Sequence, residues 1–518
     1  MTIKSLKDII ANMLPRQWLL RACALPFCIG MAMGAEGESA PQGMPAQSLA
    51  TVSVQAPNAL EFRPFSALIK KEGNSELLGL RYTATSRYSG ISDYALTLML
   101  YLLWAVIVLV LVYTARHYYF TLNRLFGRQR HPFMDVSTAA WPHVTVMVAA
   151  HNEEAVIADS LTALLEVDYP VGKLQIIPVN DRSTDRTREI IDMIAASHPG
   201  RITIMHRTEG KPGKPAALKD ATDLATGEIL LVFDADYIPG RGLIKQLVSP
   251  FFDAEIGATM GRVVPINTGR NLLTRLLDME RSGGYQVDQQ ARMNLHLVPQ
   301  FGGTVGGVRR TALDAIGGWR DDALAEDTDL TYRLLLAGWK TAYQNRSECY
   351  EEVPETWPVR IRQIMRWAKG HNQAAFRYSG QLLRSKKVSL REKIDGMLLL
   401  GVFAMSPILL FGWILALVLF YFNATDWLTG VLALFALMSY SALGNFAAFF
   451  EIGTAVYLDG GKSRMRLMPL NYFGFLVSLL SITRATFDQV FFDYLFKRNQ
   501  VWHKTARYRK VTDEVNVQ

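Results

Sequence analysis

The sequence predicts an α/β fold on a mostly parallel sheet, flanked by transmembrane α-helices. Three observations carry that prediction. Short apolar runs at residues 143–150, 175–179, 201–206 and 229–233 alternate with helix-like stretches such as 155–167 and 186–196. That alternation is the mark of a wound sheet whose ligands bind beyond the carboxyl ends of its strands. Residues 94–115 contain no charged side chain. Finally, the 518 residues are 50% hydrophobic yet 20% charged, too apolar for an ordinary soluble enzyme and too charged for membrane helices throughout.

Taken in order, residues 1–35 carry Lys4, Lys7, Arg16 and Arg21, an apolar run at 22–33, and the small residues Ala32, Gly34 and Ala35. They form either a signal peptide cleaved near Gly34 or Ala35 or an uncleaved anchor. Residues 36–93, rich in Ala, Ser, Pro and Gly, are expected to be exported and poorly structured. At about 1.5 Å per residue, 94–115 reaches across a hydrocarbon core of about 30 Å. Arg116, Arg124, Arg128 and Arg130 place its far end in the cytoplasm. A linker at 116–140 leads to the α/β domain at 141–385. A membrane domain at 386–496 follows, with hydrophobic segments at 397–422, 427–450 and, shorter, 467–483. Three crossings leave the tail 497–518 outside, but Lys497, Arg498, Lys504, Arg507, Arg509 and Lys510 favour the cytoplasm. Either the last segment is re-entrant or interfacial, the preferred reading, or the positive-inside signal fails there. The net charge of +8 suits acidic headgroups or a phosphorylated small substrate and does not argue for nucleic acid. Cys23, Cys28 and Cys349 have neither zinc nor disulfide-framework spacing.

The chemistry gathers at strand ends. The apolar run 229–233 stops at Asp234 and Asp236. Residues i and i+2 of a strand point to one side, roughly 6–7 Å apart, so the motif alone is either an acidic surface turn or two like charges that face one cavity and call for a cation. Glu153 follows the first strand, where a helix N-terminus offers N–H groups to an anion or a base edge. Asp181 follows the second, as a ligand contact or a helix cap. Lys211 and Lys214 lie in a Gly/Pro turn before a helix that Pro215 suits. They either lie over a diphosphate or form a solvated basic turn. Phe301, Gly302, Gly303 and Thr304 open a glycine-dense loop that allows close backbone approach. Glu326, Asp327 and Asp329 fall at a helix start, as dipole partners or with one acid acting as a base. Gln363, Arg366 and Trp367 share a helical face suited to hydroxyls, phosphate and a sugar ring, or to the membrane surface.

In this order the motifs resemble the family 2 glycosyltransferases of GT-A fold. The similarity is to the membrane-embedded branch that includes cellulose-synthase-like, mannan-synthase-like, poly-N-acetylglucosamine and hyaluronan synthases. The resemblance covers about residues 140–380 and rests on Asn180-Asp181, Asp234 with Asp236, Glu326-Asp327, and Gln363 with Arg366 and Trp367. It implies that Glu153 and Asp181 contact the nucleoside, Lys214 the diphosphate, and Asp234 the nucleotide, with Asp236 (and Asp234 beside it) ligating Mg²⁺ or Mn²⁺. Phe301 to Thr304 would line the acceptor end. Asp327 would be the general base with Glu326 beside it in the catalytic set. Gln363, Arg366 and Trp367 would hold the pyrophosphate and the acceptor sugar. The basic loop matches only in outline, which leaves Lys211 as the alternative to Lys214. No regulatory barrel of the bacterial cellulose-synthase kind is expected after residue 500.

The implied function is inverting transfer of a hexose from a nucleotide-sugar, UDP-glucose or UDP-N-acetylglucosamine ahead of GDP-mannose, to a growing β-linked polysaccharide. Processive synthesis coupled to export is the leading form, and single transfer to a lipid acceptor the alternative. A non-catalytic scaffold is disfavoured because Asp181, Asp234, Asp236 and Asp327 are all present. The expected setting is a bacterial inner membrane, multi-pass, with the catalytic domain cytoplasmic. Expected partners are the donor, a glycan acceptor, the bilayer and accessory export subunits.

Overall fold

The computed structural model describes residues 70–72, 75–77, 93–131, 140–421 and 445–495. The signal or anchor at 1–35, most of the 427–450 segment and the basic tail lie outside the described residues. The chain divides into two compact units, residues 1–102 with 415–433 and residues 103–414 with 434–518. The first includes an antiparallel pair, β1 (Lys70–Glu72) and β2 (Ser75–Leu77), inside the stretch expected to be poorly structured.

The second unit holds an eight-stranded sheet. Its strands are β3 (Val144–Ala150), β4 (Leu174–Asp181), β5 (Met205–Arg207), β6 (Ile229–Asp234), β7 (Ile238–Pro239), β8 (Ile256–Pro265), β9 (Gly306–Arg309) and β10 (Lys340–Glu351). They lie in the order β5-β4-β3-β6-β9-β8-β10-β7. The pairs β5–β4, β4–β3, β3–β6 and β8–β10 are parallel, while β9 runs antiparallel between β6 and β8, and β7 antiparallel to β10. The sheet is therefore mixed, with a parallel half that matches the prediction.

The helices are α1 (Asp93–Phe126), α2 (Ile157–Leu165), α3 (Thr187–Ser197), α4 (Lys214–Leu224), α5 (Leu243–Val248), α6 (Leu272–Ser282), α7 (Gln290–Asn294) and α8 (Arg310–Ala315). They continue with α9 (Glu326–Ala337), α10 (Trp357–Arg384), α11 (Leu390–Leu400), α12 (Met405–Tyr421), α13 (Asn445–Leu458) and α14 (Asn471–Phe487). A π-helical turn, Gly283–Gln289, joins α6 to α7.

Alternate residues of the central strands feed two cores. Val144, Val146 and Val148 pack with Ile157, Leu161 and Leu164 on one face, and Met147, Leu230 and Val232 with Ala217, Leu218 and Ala221 on the other. Burial on both faces explains why these strands read as unbroken apolar runs. Each of the valine, isoleucine, leucine and methionine side chains among them stabilises the fold by about 1.5–3 kcal/mol.

Four expectations change. The run 201–206 yields only β5 and a bridge from Ile202 to Ile176, because it sits at a half-buried sheet edge. The glycine-dense loop ends in a strand: Gly306 and Gly307 belong to β9, where a Cβ would meet the Thr259 carbonyl at 2.8 Å and the Leu231 side chain at 2.5 Å. The segment 397–422 is two helices, α11 and α12, bent by 72°. Pro407 in the first turn of α12 cannot extend a helix from α11, and a Cβ on Gly401 would press on the Tyr113 hydroxyl at 2.8 Å. Residues 467–483 fall within one apolar helical stretch, Lys462–Asp493. Among the described residues, that stretch and Tyr94–Phe126 are long and apolar enough to cross a membrane, with the bent pair as a third candidate.

Candidate active site

Strand ends β3, β4, β6 and β10 open onto one cavity of about 850 Å³. Glu153, Asp181, Lys214, Asp234, Asp236, Gly302, Thr304, Glu326, Asp327, Gln363, Arg366 and Trp367 all line it. Phe301 does not. Its ring is fully buried in the core beneath the sheet, and the residue before it, Gln300, faces the cavity instead. Gly303 contributes its backbone: its φ is +76°, and a Cβ there would sit 3.2 Å from the Asp327 Cβ and 3.3 Å from Glu326 Oε1.

Lys214 joins the acidic motifs. Its Nζ donates to Asp234 Oδ1 at 2.6 Å and to the Gly303 carbonyl at 2.7 Å, and lies 3.1 Å from Glu326 Oε1. Burial alone would lower its pKa, but Asp234 and Glu326 outweigh that and hold it above the ordinary lysine value. Lys211 is instead 63% exposed and pairs with Asp321 at 3.1 Å. The two lysines that the sequence left open are thus separated by burial.

Glu326 and Asp327 start α9. Burial pushes both carboxyls up; Lys214 opposes this at Glu326, and the Thr328 amide, Lys214 and Arg366 oppose it at Asp327. Asp327 Oδ1 accepts the Thr328 N–H at 2.6 Å. The third acid of the run, Asp329, is structural: it accepts from the Tyr378 hydroxyl at 2.5 Å and from Arg333 Nε at 2.7 Å, fastening α9 to α10.

Asp181 is held from within the chain. Arg207 Nη1 donates to one carboxylate oxygen at 2.6 Å and the Gly213 N–H to the other at 2.9 Å. It therefore anchors the basic loop to the end of β4, beyond the cap or ligand contact expected of it. On α10, Gln363 accepts from Arg360 at 2.9 Å. The Trp367 ring, expected to face a sugar, carries the Arg281 and Arg360 guanidiniums at 5.0 and 5.2 Å from its centre.

Sequence reasoning missed Arg207, Arg281 and Glu351. Arg281 Nε lies 2.7 Å from Glu351 Oε1, and the Tyr237 hydroxyl donates to Glu351 Oε2 at 2.6 Å. None of the three had a local signal: Glu351 ends a strand that carries five polar residues in a row, Gln344 to Glu348, unlike the apolar run before Asp234.

Asp236 is 4% exposed and shares the cavity with Asp234. Among the described residues, no group of three or more His, Cys, Asp or Glu is placed to hold a metal ion. The two carboxylates are the ligand type a hard cation takes, and one Asp234 oxygen is already held by Lys214.

Residues 142–370 match the family model described as glycosyltransferase like family 2. These residues thus carry a glycosyltransferase family 2 domain. Its curated relatives include a probable glycosyltransferase, YdaM, of Bacillus subtilis, 28% identical over 420 residues, which are 79% of this chain and 96% of that protein. A β-monoglucosyldiacylglycerol synthase of Synechocystis is 34% identical over 261 residues, 50% of this chain and 54% of the synthase. Glucomannan 4-β-mannosyltransferase 7 of Arabidopsis thaliana is 30% identical over 269 residues, 50% of this chain and 48% of that enzyme. The chain thus spans about half the length of these last two. Among solved structures, a mannosyltransferase of Pyrobaculum calidifontis, in complex with GDP-Man and Mn²⁺, superposes with a TM-score of 0.50 at 21% identity. That match covers 72% of this chain and 99% of the other, a likeness of fold.

Proposed function

We propose that the chain is a membrane-anchored inverting glycosyltransferase that moves a hexose from a nucleotide-sugar to a growing β-linked polysaccharide, processively and with export through its own helices. The observation that carries the reading is Lys214, whose single ammonium touches both Asp234, in the proposed cation site, and Glu326, beside the proposed base. Donor chemistry and acceptor activation then meet in one cavity.

Asp236 and Asp234 would hold Mg²⁺ or Mn²⁺, which supplies charge neutralisation at the diphosphate. Lys214 and Arg366 hold and neutralise the diphosphate oxygens. Glu153 lies at the nucleoside end, with Asp181 setting the loop that covers it. Asp327 takes the proton of the acceptor hydroxyl as that oxygen bonds to the anomeric carbon. The bond from that carbon to phosphate breaks, and its electron pair leaves with the nucleoside diphosphate. One displacement inverts the centre, so an α-linked donor yields a β-linkage.

A second reading, single transfer to a lipid acceptor, is favoured by the 34% identity to a β-monoglucosyldiacylglycerol synthase. Membranes containing the protein should be incubated with labelled UDP-glucose, UDP-N-acetylglucosamine or GDP-mannose and Mg²⁺ or Mn²⁺. A high-molecular-weight product cut by a linkage-specific β-glycanase supports the first reading. A single labelled lipid replaces it with the second, and no metal-dependent incorporation from any donor removes both.

A further inference from the structure

Among the residues that line the cavity, Gln289, Gln300, His371 and Phe403 carry no formal charge, while Asp288 and Arg292 beside Gln289 pair with each other at 3.0 Å. The uncharged set is tied to Asp327. Gln289 and Gln300 hold each other reciprocally: the Gln300 N–H donates to Gln289 Oε1 at 3.0 Å, and Gln289 Nε2 to the Gln300 carbonyl at 2.9 Å. The Gln300 side-chain amide donates to Thr328 Oγ1 at 3.1 Å and lies 3.2 Å from His371 Nε2, and the Thr328 N–H is bound to Asp327. An amide nitrogen only donates, so His371 Nε2 is the acceptor and its proton sits on Nδ1. Burial lowers the His371 pKa to about 4, opposed by the Trp367 carbonyl, so the ring is neutral near pH 7. Among the described residues, Gln300 Oε1 has no partner within the chain. The Phe403 ring lies 4.7 Å from the imidazole, in the break between α11 and α12.

We propose that Gln300 and His371, steadied by Gln289 and faced by Phe403, form the acceptor subsite, which takes a neutral hydroxyl-bearing unit and sets it against Asp327. The proposal rests on the glycosyl-transfer reading. These four side chains offer a charged acceptor no counter-charge of their own, and burying an unpaired charge is costly. A hydroxyl is well served, since it can donate to Gln300 Oε1 while its carbon skeleton lies on Phe403. The same chemistry fits the end of a neutral glycan or the free hydroxyl of a diacylglycerol.

The test uses the full chain in detergent with whichever of UDP-glucose, UDP-N-acetylglucosamine and GDP-mannose turns over fastest. Cellotetraose and dioctanoylglycerol serve as acceptors in separate arms, and the arm that reacts identifies the source of the hydroxyl. Gln300→Leu and His371→Phe are expected to raise the acceptor KM about tenfold, the loss of one hydrogen bond to a neutral hydroxyl. The Kd for the matching nucleoside diphosphate with Mn²⁺ should stay within about twofold, because Lys214, Asp234 and Asp236 are untouched. His371→Gln, which keeps a neutral acceptor, should recover most of the KM. An unchanged acceptor KM in both variants overturns the proposal, as does an equal loss of nucleotide affinity and acceptor affinity in His371→Gln. If the unaltered protein binds nucleoside diphosphate yet transfers to neither acceptor, the subsite is refuted and the transfer reading survives. If it neither binds nucleotide nor turns over any donor, the transfer reading falls, and this subsite with it.

Discussion

At the scale of single residues the decisive contrast is between neighbours that look alike in sequence. Asp327 and Asp329 are two apart, yet Asp329 is consumed by Tyr378 and Arg333 while Asp327 faces the cavity. Asp327→Asn should lower transfer by at least the 10²–10⁴-fold typical of general-base help, while the purified protein still binds nucleoside diphosphate with metal; near-normal turnover would remove Asp327 from the base role. Because burial raises the Asp327 pKa, kcat/KM should fall on the acid side at a pH above the ordinary aspartate range. The sign for stability is opposite: a carboxyl with a raised folded-state pKa stabilises below its unfolded pKa, and that contribution is lost as pH rises through the folded value. The lysines offer a paired check. Lys214→Met strands Asp234 and Glu326 and should cost roughly 3 kcal/mol along with donor affinity. Lys211→Ala, at an exposed pair, should change thermal stability by less than about 0.5 kcal/mol. Neither contrast was legible beforehand, because partners such as Asp234 for Lys214 lie 20 residues away and Gly303 lies 89 away.

At the scale of elements, α10 carries Arg366 and Trp367 past the start of α9, and Gly370 sets the distance. A Cβ at Gly370 would fall 2.5 Å from the Ala325 Cβ and 3.2 Å from its backbone nitrogen. Gly370→Ala should therefore force the helices apart, costing about 1–3 kcal/mol and lowering kcat more than donor affinity; a variant with unchanged kcat and melting temperature contradicts this. The parallel strands were readable because burial on both faces leaves an apolar run with no competing pattern. β9 was not, since its glycines read as a ligand loop. Their reason for being glycine is the close approach of Thr259 and Leu231, which periodicity does not register.

Across the second unit, charged side chains tie the apolar helices to the sheet domain. Arg292, 1% exposed, meets Asp395 of α11 at 2.7 Å and Asp288 at 3.0 Å, and Arg116 of α1 meets Asp288 at 2.6 Å. Asp459, just after α13, accepts from Arg262 at 2.7 Å and from Ser282 at 2.8 Å. Such pairs cost more to break than they contribute when whole, because the survivor is left charged and buried. Asp395→Leu should thus lower stability by about 3–5 kcal/mol, seen as a drop in the thermal midpoint of the full chain in detergent. A midpoint within error of the unaltered protein would mean that the network does not couple the helices to the domain.

The sequence by itself determined the parallel half of the sheet, the acids at its strand ends and the apolar stretches, because each is written in local periodicity and residue type. It also marked twelve of the residues that line the cavity. Only the tertiary structure decided which lysine joins the two acidic motifs, which acid faces the cavity, that Phe301 is core while Gln300 is surface, and that segment 397–422 bends. Those outcomes depend on which distant groups meet, and a buried charge or an orphaned amide acquires its meaning only from the partner that folding brings to it.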